Sequence, residues 1–142
     1  MLSMKQQPQV GVGVIIMNRG RVLLLRRKNA HGEGSWCFPG GHLEFNEELA
    51  DCARREVQEE TGLTVSNIQF AGLTNDLFRE EEKHYITIFM ACAYASGEAQ
   101  IKEPEKCTGM DWFGWRALPQ PLFLPIQHLL DQGYDPFRSS VR

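Results

Sequence analysis

Residues 41–63 read GHLEFNEELADCARREVQEETGL. Leu49, Ala50, Ala53 and Val57 recur at helical spacing, which predicts an amphipathic helix with one apolar stripe. Asn46 is a suitable N-cap, and Glu47 and Glu48 load the first turn with the charge that the helix dipole favours. Gly62 fits the C′ position, where a left-handed residue ends a helix. Glu56, Glu59 and Glu60 stand at i, i+3 and i+4 and therefore share a helix face. Like charges at that spacing weaken a helix. A hard divalent cation relieves the repulsion, because Mg²⁺ takes carboxylate oxygens and keeps waters for a phosphate ligand. The alternative is a solvated acidic face.

The whole chain has 142 residues, 42% hydrophobic and 23% charged, which is the size and composition of one folded domain over residues 1–142. A net charge of −3 argues against a nucleic-acid duplex or an anionic membrane as partner. A small anionic substrate must then be held by local cations and a metal. Cys37, Cys52, Cys92 and Cys107 form no CxxC pair and no zinc spacing, which predicts free thiols in a reducing, cytoplasmic setting. The start, MLSMKQQPQ, lacks the apolar core of a signal peptide, and no apolar run has the length of a membrane span.

Working outward from the helix, Val10 to Met17 reads as a buried strand, Asn18 to Gly20 as a turn and Arg21 to Arg27 as the return strand. Asn29 to Ser35 reads as a flexible loop with His31 facing solvent. Val65 to Leu73 reads as a strand, Asn75 to Lys83 as a polar loop, and His84 to Tyr94 as a strongly β-prone strand. Met110 to Trp115 reads as a short aromatic strand whose rings belong first to the core. A second helix is predicted over Leu124 to Gln132, with Pro125 in its first turn and Gly133 at its end. Strands flanked by helices on both sides predict an α+β sandwich.

The spacing Gly41, five residues, Glu47, seven residues, then Arg55-Glu56-Val57-Gln58-Glu59-Glu60-Thr61-Gly62-Leu63 resembles the signature box of the Nudix hydrolases, with its fixed positions present. The resemblance implies an α/β/α sandwich with a mixed sheet and hydrolysis of a nucleoside diphosphate linked to another group, with Mg²⁺ or Mn²⁺. By position it makes Glu56, Glu59 and Glu60 metal ligands, with the Gly41 carbonyl a further one, and Arg55 with Glu47 an ion pair that holds the helix in shape. It places an extra acid before the aromatic strand, Glu105 first and Glu103 second.

PGGHLEF, the run Glu103 to Cys107, the Trp112/Trp115 spacing and the tail Gln132 to Phe137 are similar to the MutT-like nucleotide triphosphate diphosphatases, in particular the animal subgroup acting on thiopurine and guanine nucleotides. That similarity implies cleavage of a (d)NTP to monophosphate and pyrophosphate by a homodimer. It sets the nucleobase against Phe123, Leu124 and Ile126, with Thr87 across the pocket. Plain core is the alternative for Phe123 and Ile126, and a backbone bond the alternative for Thr87. Arg27 is either a phosphate-binding fork or a solvated strand end. His42 donates to a phosphate, assists proton transfer or caps its loop. Cys37 before Phe38 and the run Leu124-Pro125-Ile126-Gln127 depart from the subgroup near the base pocket. Competing functions are an ADP-ribose or ADP-sugar pyrophosphatase, whose usual proline beyond the box is missing around Leu77 to Arg79, and a nucleotide sensor without catalysis.

Overall fold

In the computed structural model, which describes residues 6–138, the chain runs β1 (Gln9–Asn18), β2 (Arg21–Arg27), β3 (Trp36–Cys37), β4 (Gly40–His42), α1 (Leu49–Thr61), β5 (Thr64–Phe78), β6 (Lys83–Ser96), β7 (Cys107–Gly114), a 3₁₀ turn (Trp115–Ala117) and α2 (Leu124–Asp131). The reading of the N-terminal segment falls partly on residues 1–5, outside the described residues.

Strand alternation sets the layers. Side chains along a strand point to opposite faces in turn. Val12, Val14 and Ile16 of β1, Leu23 of β2 and Met90 and Cys92 of β6 join one buried cluster, which α1 completes with Cys52, Ala53 and Val57. Ile15, Val22, Leu24 and Phe89 belong to a second cluster, which α2 completes with Ile126 and Leu129. One helix therefore covers each face of the sheet, as the apolar spacing predicts.

The sheet has seven strands in the order β3-β2-β1-β6-β5, with β4 added to β1 and β7 to β2. β1 and β6 are parallel and the other pairs antiparallel, so the sheet is mixed. Among the described residues no helix is long and apolar enough to cross a membrane. The four cysteines are free, and three of them are buried.

The start of α1 and the end of β5 differ from the sequence reading. α1 begins at Leu49 with Glu48 as the extended cap residue, because Asn46 takes a left-handed φ of 66° and ends a turn rather than starting a helix. Glu47 and Glu48 consequently precede the helix, and Asp51 is the acid of its first turn. β5 runs on to Phe78, so the expected Asn75–Lys83 loop shrinks to a turn at residues 79–82. Thr74, Asp76 and Phe78 alternate inward there, and that burial outweighs their polar neighbours.

Leu129 is fully buried where α2 meets the sheet. Leu129→Ala is expected to lower the urea-unfolding free energy by about 2–5 kcal/mol, the range for a leucine removed from a packed core. A loss below about 1 kcal/mol would show that α2 is docked loosely.

Candidate active site

The site starts where β4 passes between β1 and α1. β4 pairs with β1 through Gly11↔His42, Val12↔Gly41 and Gly13↔Gly40. A Cβ added to Gly40 would run into the Val12 carbonyl, and one added to Gly41 would run into the Glu56 carboxylate. Only glycine permits this approach. It sets the backbone of residue 41 against Glu56 and lets the Gly40 N–H donate to Glu60 Oε1 at 3.0 Å.

Arg55 gathers the surrounding acids. It donates to Glu47 twice, from Nε at 2.7 Å and Nη2 at 3.0 Å, in the forked geometry that suits a carboxylate. Its Nη1 donates to Glu56 at 3.0 Å and Glu59 at 3.4 Å, and Nη2 also donates to the His42 carbonyl at 3.2 Å. These bonds hold the Glu47 carboxyl down at about 2. The ion pair expected between Arg55 and Glu47 is thus formed.

Glu56 and Glu60 lie on the inner side of α1 and line a cavity of about 460 Å³. Burial pushes the Glu60 carboxyl up to about 8, with the Gly40 N–H opposing and the charges of Glu56 and Glu103 assisting. Burial also raises Glu56, against the pull of Arg55. Glu59 is exposed and faces Arg55 instead. The expected trio shares a face without converging: among the described residues no three His, Cys, Asp or Glu side chains meet at one point.

Of the two acids before β7, Glu103 lines the cavity and Glu105 does not. The turn closed by Lys106 N–H to the Glu103 carbonyl at 2.9 Å brings Glu103 and Lys106 to the cavity and leaves Glu105 exposed. The candidate acid therefore moves from Glu105 to Glu103.

The same cavity is walled by rings. Phe123 stacks on Phe78 at 5.4 Å, and the Arg27 guanidinium lies 3.9 Å above the Phe123 ring centre. His42 bonds to the Tyr85 hydroxyl at 2.8 Å and stacks on its ring. His31, read as solvent-facing, instead stacks on Tyr85 at 5.1 Å with its edge against Phe78. Its loop is anchored by Arg27 Nε donating to the His31 carbonyl at 2.8 Å and by Gly32 N–H donating to Glu81 at 3.2 Å. Burial, with Arg27 and Lys83 nearby, pulls the His31 imidazole down to about 4.

Thr87 and Ile126 line the cavity as well, whereas Leu124 does not and its neighbour Pro125 does. Tyr85 was open to sequence reasoning, since it stands two residues before Thr87 on one strand and must share its face. His31 carried no such signal, because loop residues have no periodicity.

The acidic donors that line the cavity are oxygens, the Glu56 and Glu60 carboxylates, and Gly41 lines it as well. This donor set fits Mg²⁺ or Mn²⁺ rather than a softer metal.

Residues 7–132 match the NUDIX domain. The chain is 30% identical over 116 residues to an ADP-ribose pyrophosphatase of Methanocaldococcus jannaschii, covering 82% of this chain and 68% of that protein. It is 33% identical over 107 residues to an oxidized purine nucleoside triphosphate hydrolase of Danio rerio, covering 75% and 66%. Against an NAD-capped RNA hydrolase NudC of Pseudomonas aeruginosa it is 30% identical but spans only 46% of that protein's length. Among solved structures, a MutT NUDIX hydrolase of Burkholderia pseudomallei superposes with a TM-score of 0.83 at 31% identity, covering 89% of this chain and 98% of that one.

Two titrations shape the stability of the metal-free protein. The Glu60 carboxyl at about 8 lies above its ordinary 4.5, so between those values the folded state holds the extra proton and stability falls as pH rises. The His31 imidazole at about 4 lies below its ordinary 6.5, so between those values the unfolded state holds the extra proton and stability rises with pH. With EDTA present the melting temperature is expected to decline from pH 6.5 to 8, and Mg²⁺ is expected to raise it most at pH 8. A metal-free curve that climbs across that window would show Glu60 ionised throughout.

Proposed function

The chain belongs to the Nudix family, and from that premise we propose that it hydrolyses (deoxy)nucleoside triphosphates to monophosphate and pyrophosphate with Mg²⁺, a reaction suited to cleansing a nucleotide pool. One observation carries the reading. A single cavity is lined both by the acids Glu56 and Glu60 and by the rings Phe78, Tyr85 and Phe123, with Arg27 over the last. Such a cavity suits a ligand that joins a phosphate chain to a flat base. The Danio rerio relative's triphosphate substrate supports the choice.

In this reading Glu56, Glu60 and the Gly41 carbonyl hold Mg²⁺, with Mn²⁺ able to replace it, and Glu59 joins them when it leaves Arg55. The bound ion supplies neutralisation of phosphate charge and a more acidic water. Arg55 and Glu47 position the ligand-bearing turn of α1 as a pair, so losing either misplaces the acids rather than removing one. Glu103 lines the same cavity, near enough for its charge to act on Glu56 and Glu60, and in this reading takes the proton of the attacking water. Arg27, Lys28 and Lys106, all lining the cavity, meet the phosphates, and His42 donates to them from its seat on Tyr85. The base lies against Phe123 and Ile126. Water adds at phosphorus, the bond to the pyrophosphate leaving group breaks, and the products are a nucleotide and pyrophosphate.

The same proposal includes a homodimer in the cytoplasm with no nucleic acid or membrane partner. Exposed Leu73 and Leu77 along the edge strand β5, and free thiols, support those parts. An ADP-ribose pyrophosphatase is the second reading, favoured by the Methanocaldococcus jannaschii relative.

With purified protein and Mg²⁺, dGTP is expected to yield dGMP and pyrophosphate on ion exchange, with kcat/KM above that for ADP-ribose, and EDTA is expected to stop the reaction. Inorganic phosphate with a diphosphate product, or faster cleavage of ADP-ribose, would reject the triphosphate reading. Glu56→Gln and Glu60→Gln are each expected to lower kcat roughly a hundredfold, as removal of a placed charge-stabilising group does. Their melts without metal are expected to match or exceed wild type, with the gain growing toward pH 8, because each change removes a carboxyl whose ionisation burial opposes.

A further inference from the structure

Asp76 is a fully buried carboxylate to which the chemistry above gives no role. It sits on the inward face of β5 between Thr74 and Phe78, while Leu73 and Leu77 point outward. The register with β6 sets Thr74 opposite Thr87 and Asp76 opposite Tyr85. Hydroxyls from both threonines converge on Asp76 Oδ2, Thr74 at 3.0 Å and Thr87 at 2.6 Å. His128 reaches down from α2 and places Nδ1 2.8 Å from Asp76 Oδ1. A buried carboxylate is costly unless its oxygens are satisfied. Here every neighbour is able to donate, and the carboxylate accepts from all of them.

The consequence falls on Thr87, which also lines the cavity. A hydroxyl has one proton and two lone pairs. At 2.6 Å to a carboxylate that proton is committed. Thr74 already occupies the same carboxylate oxygen, and His128 the other, so the network has no slack that would free it. A ligand that reaches the Thr87 oxygen therefore meets lone pair alone. An N–H is attracted there and a carbonyl repelled.

We infer that Asp76, braced by His128, fixes Thr87 as a hydrogen-bond acceptor, so that the cavity selects a nucleobase presenting an N–H edge at that point and rejects one presenting a carbonyl. The inference rests on the nucleotide-hydrolase reading and names a selectivity rule within it. Asp76 and His128 are positioning residues, and of the three only Thr87 touches the base.

The test is binding of nucleoside 5′-monophosphates by titration calorimetry, in pairs that exchange or delete an amine: dAMP against dIMP, dCMP against dUMP, dGMP against dIMP. In at least one pair the amine-bearing nucleotide is expected to bind about tenfold tighter or more, as a site built to pair a polar group rejects the analogue lacking it. Thr87→Val is expected to bring that ratio close to one, and Thr87→Ser, which keeps the hydroxyl, to retain it. Asp76→Asn is expected to reduce the ratio, because an amide N–H can donate to Thr87 and release its proton. Should Asp76→Asn fail to fold, the two Thr87 variants decide. Pairs that bind equally in wild type, or a ratio that survives Thr87→Val, would overturn the inference while hydrolysis of dGTP by the same preparation leaves the parent reading intact. Failure of every nucleotide to bind, with no hydrolysis of dGTP by the same preparation, would overturn both.

Discussion

The approach of β4 to β1 on one side and to α1 on the other is the constraint on which the site depends. Two backbones and a carboxylate meet where no side chain fits at positions 40 and 41. The close contact turns a short strand into part of the acid pocket, because the Gly40 N–H reaches Glu60 and the backbone at Gly41 lies against Glu56. A Cβ at either glycine would push β4 outward and separate the pocket's backbone from its carboxylates at the same time.

Burying acids in this way works against the fold. Two carboxyls are lifted above their ordinary range by burial, and the helix that carries them has no compensating cation in its last turn. Arg55 supplies the balance from within the helix, spreading one guanidinium over Glu47, Glu56 and Glu59. Its strongest attachment is to Glu47, outside the helix, so the charge correction also staples the preceding turn to α1. Strain of this kind is characteristic of sites kept for chemistry rather than for stability.

Much of this could be read from the chain alone, and the reasons differ by residue. Helical spacing located α1 through Ala53 and Val57, and fixed offsets located Glu56 and Glu60, because both depend on local periodicity. Asn46 misled because a good N-cap residue is also a good left-handed residue, and only the path of the incoming chain chooses between them. The acid before β7 was ambiguous for a similar reason: Glu103 and Glu105 differ only in which side of a turn they take. His31 and the Asp76–His128 pair depend on contacts across distant segments, which no spacing rule encodes.

The two apolar clusters lie on opposite faces of one sheet and share no residue. α1, with Glu56 and Glu60, rests on the first, while α2, with Ile126 and His128, rests on the second. Under the proposed function, the reaction and the choice of base would then have separate foundations. Substitutions that accumulate around α2 would be free to retune which nucleotide is accepted while the acid-bearing half goes on unchanged, so lineages descended from such a chain would diverge in diet long before they diverge in chemistry.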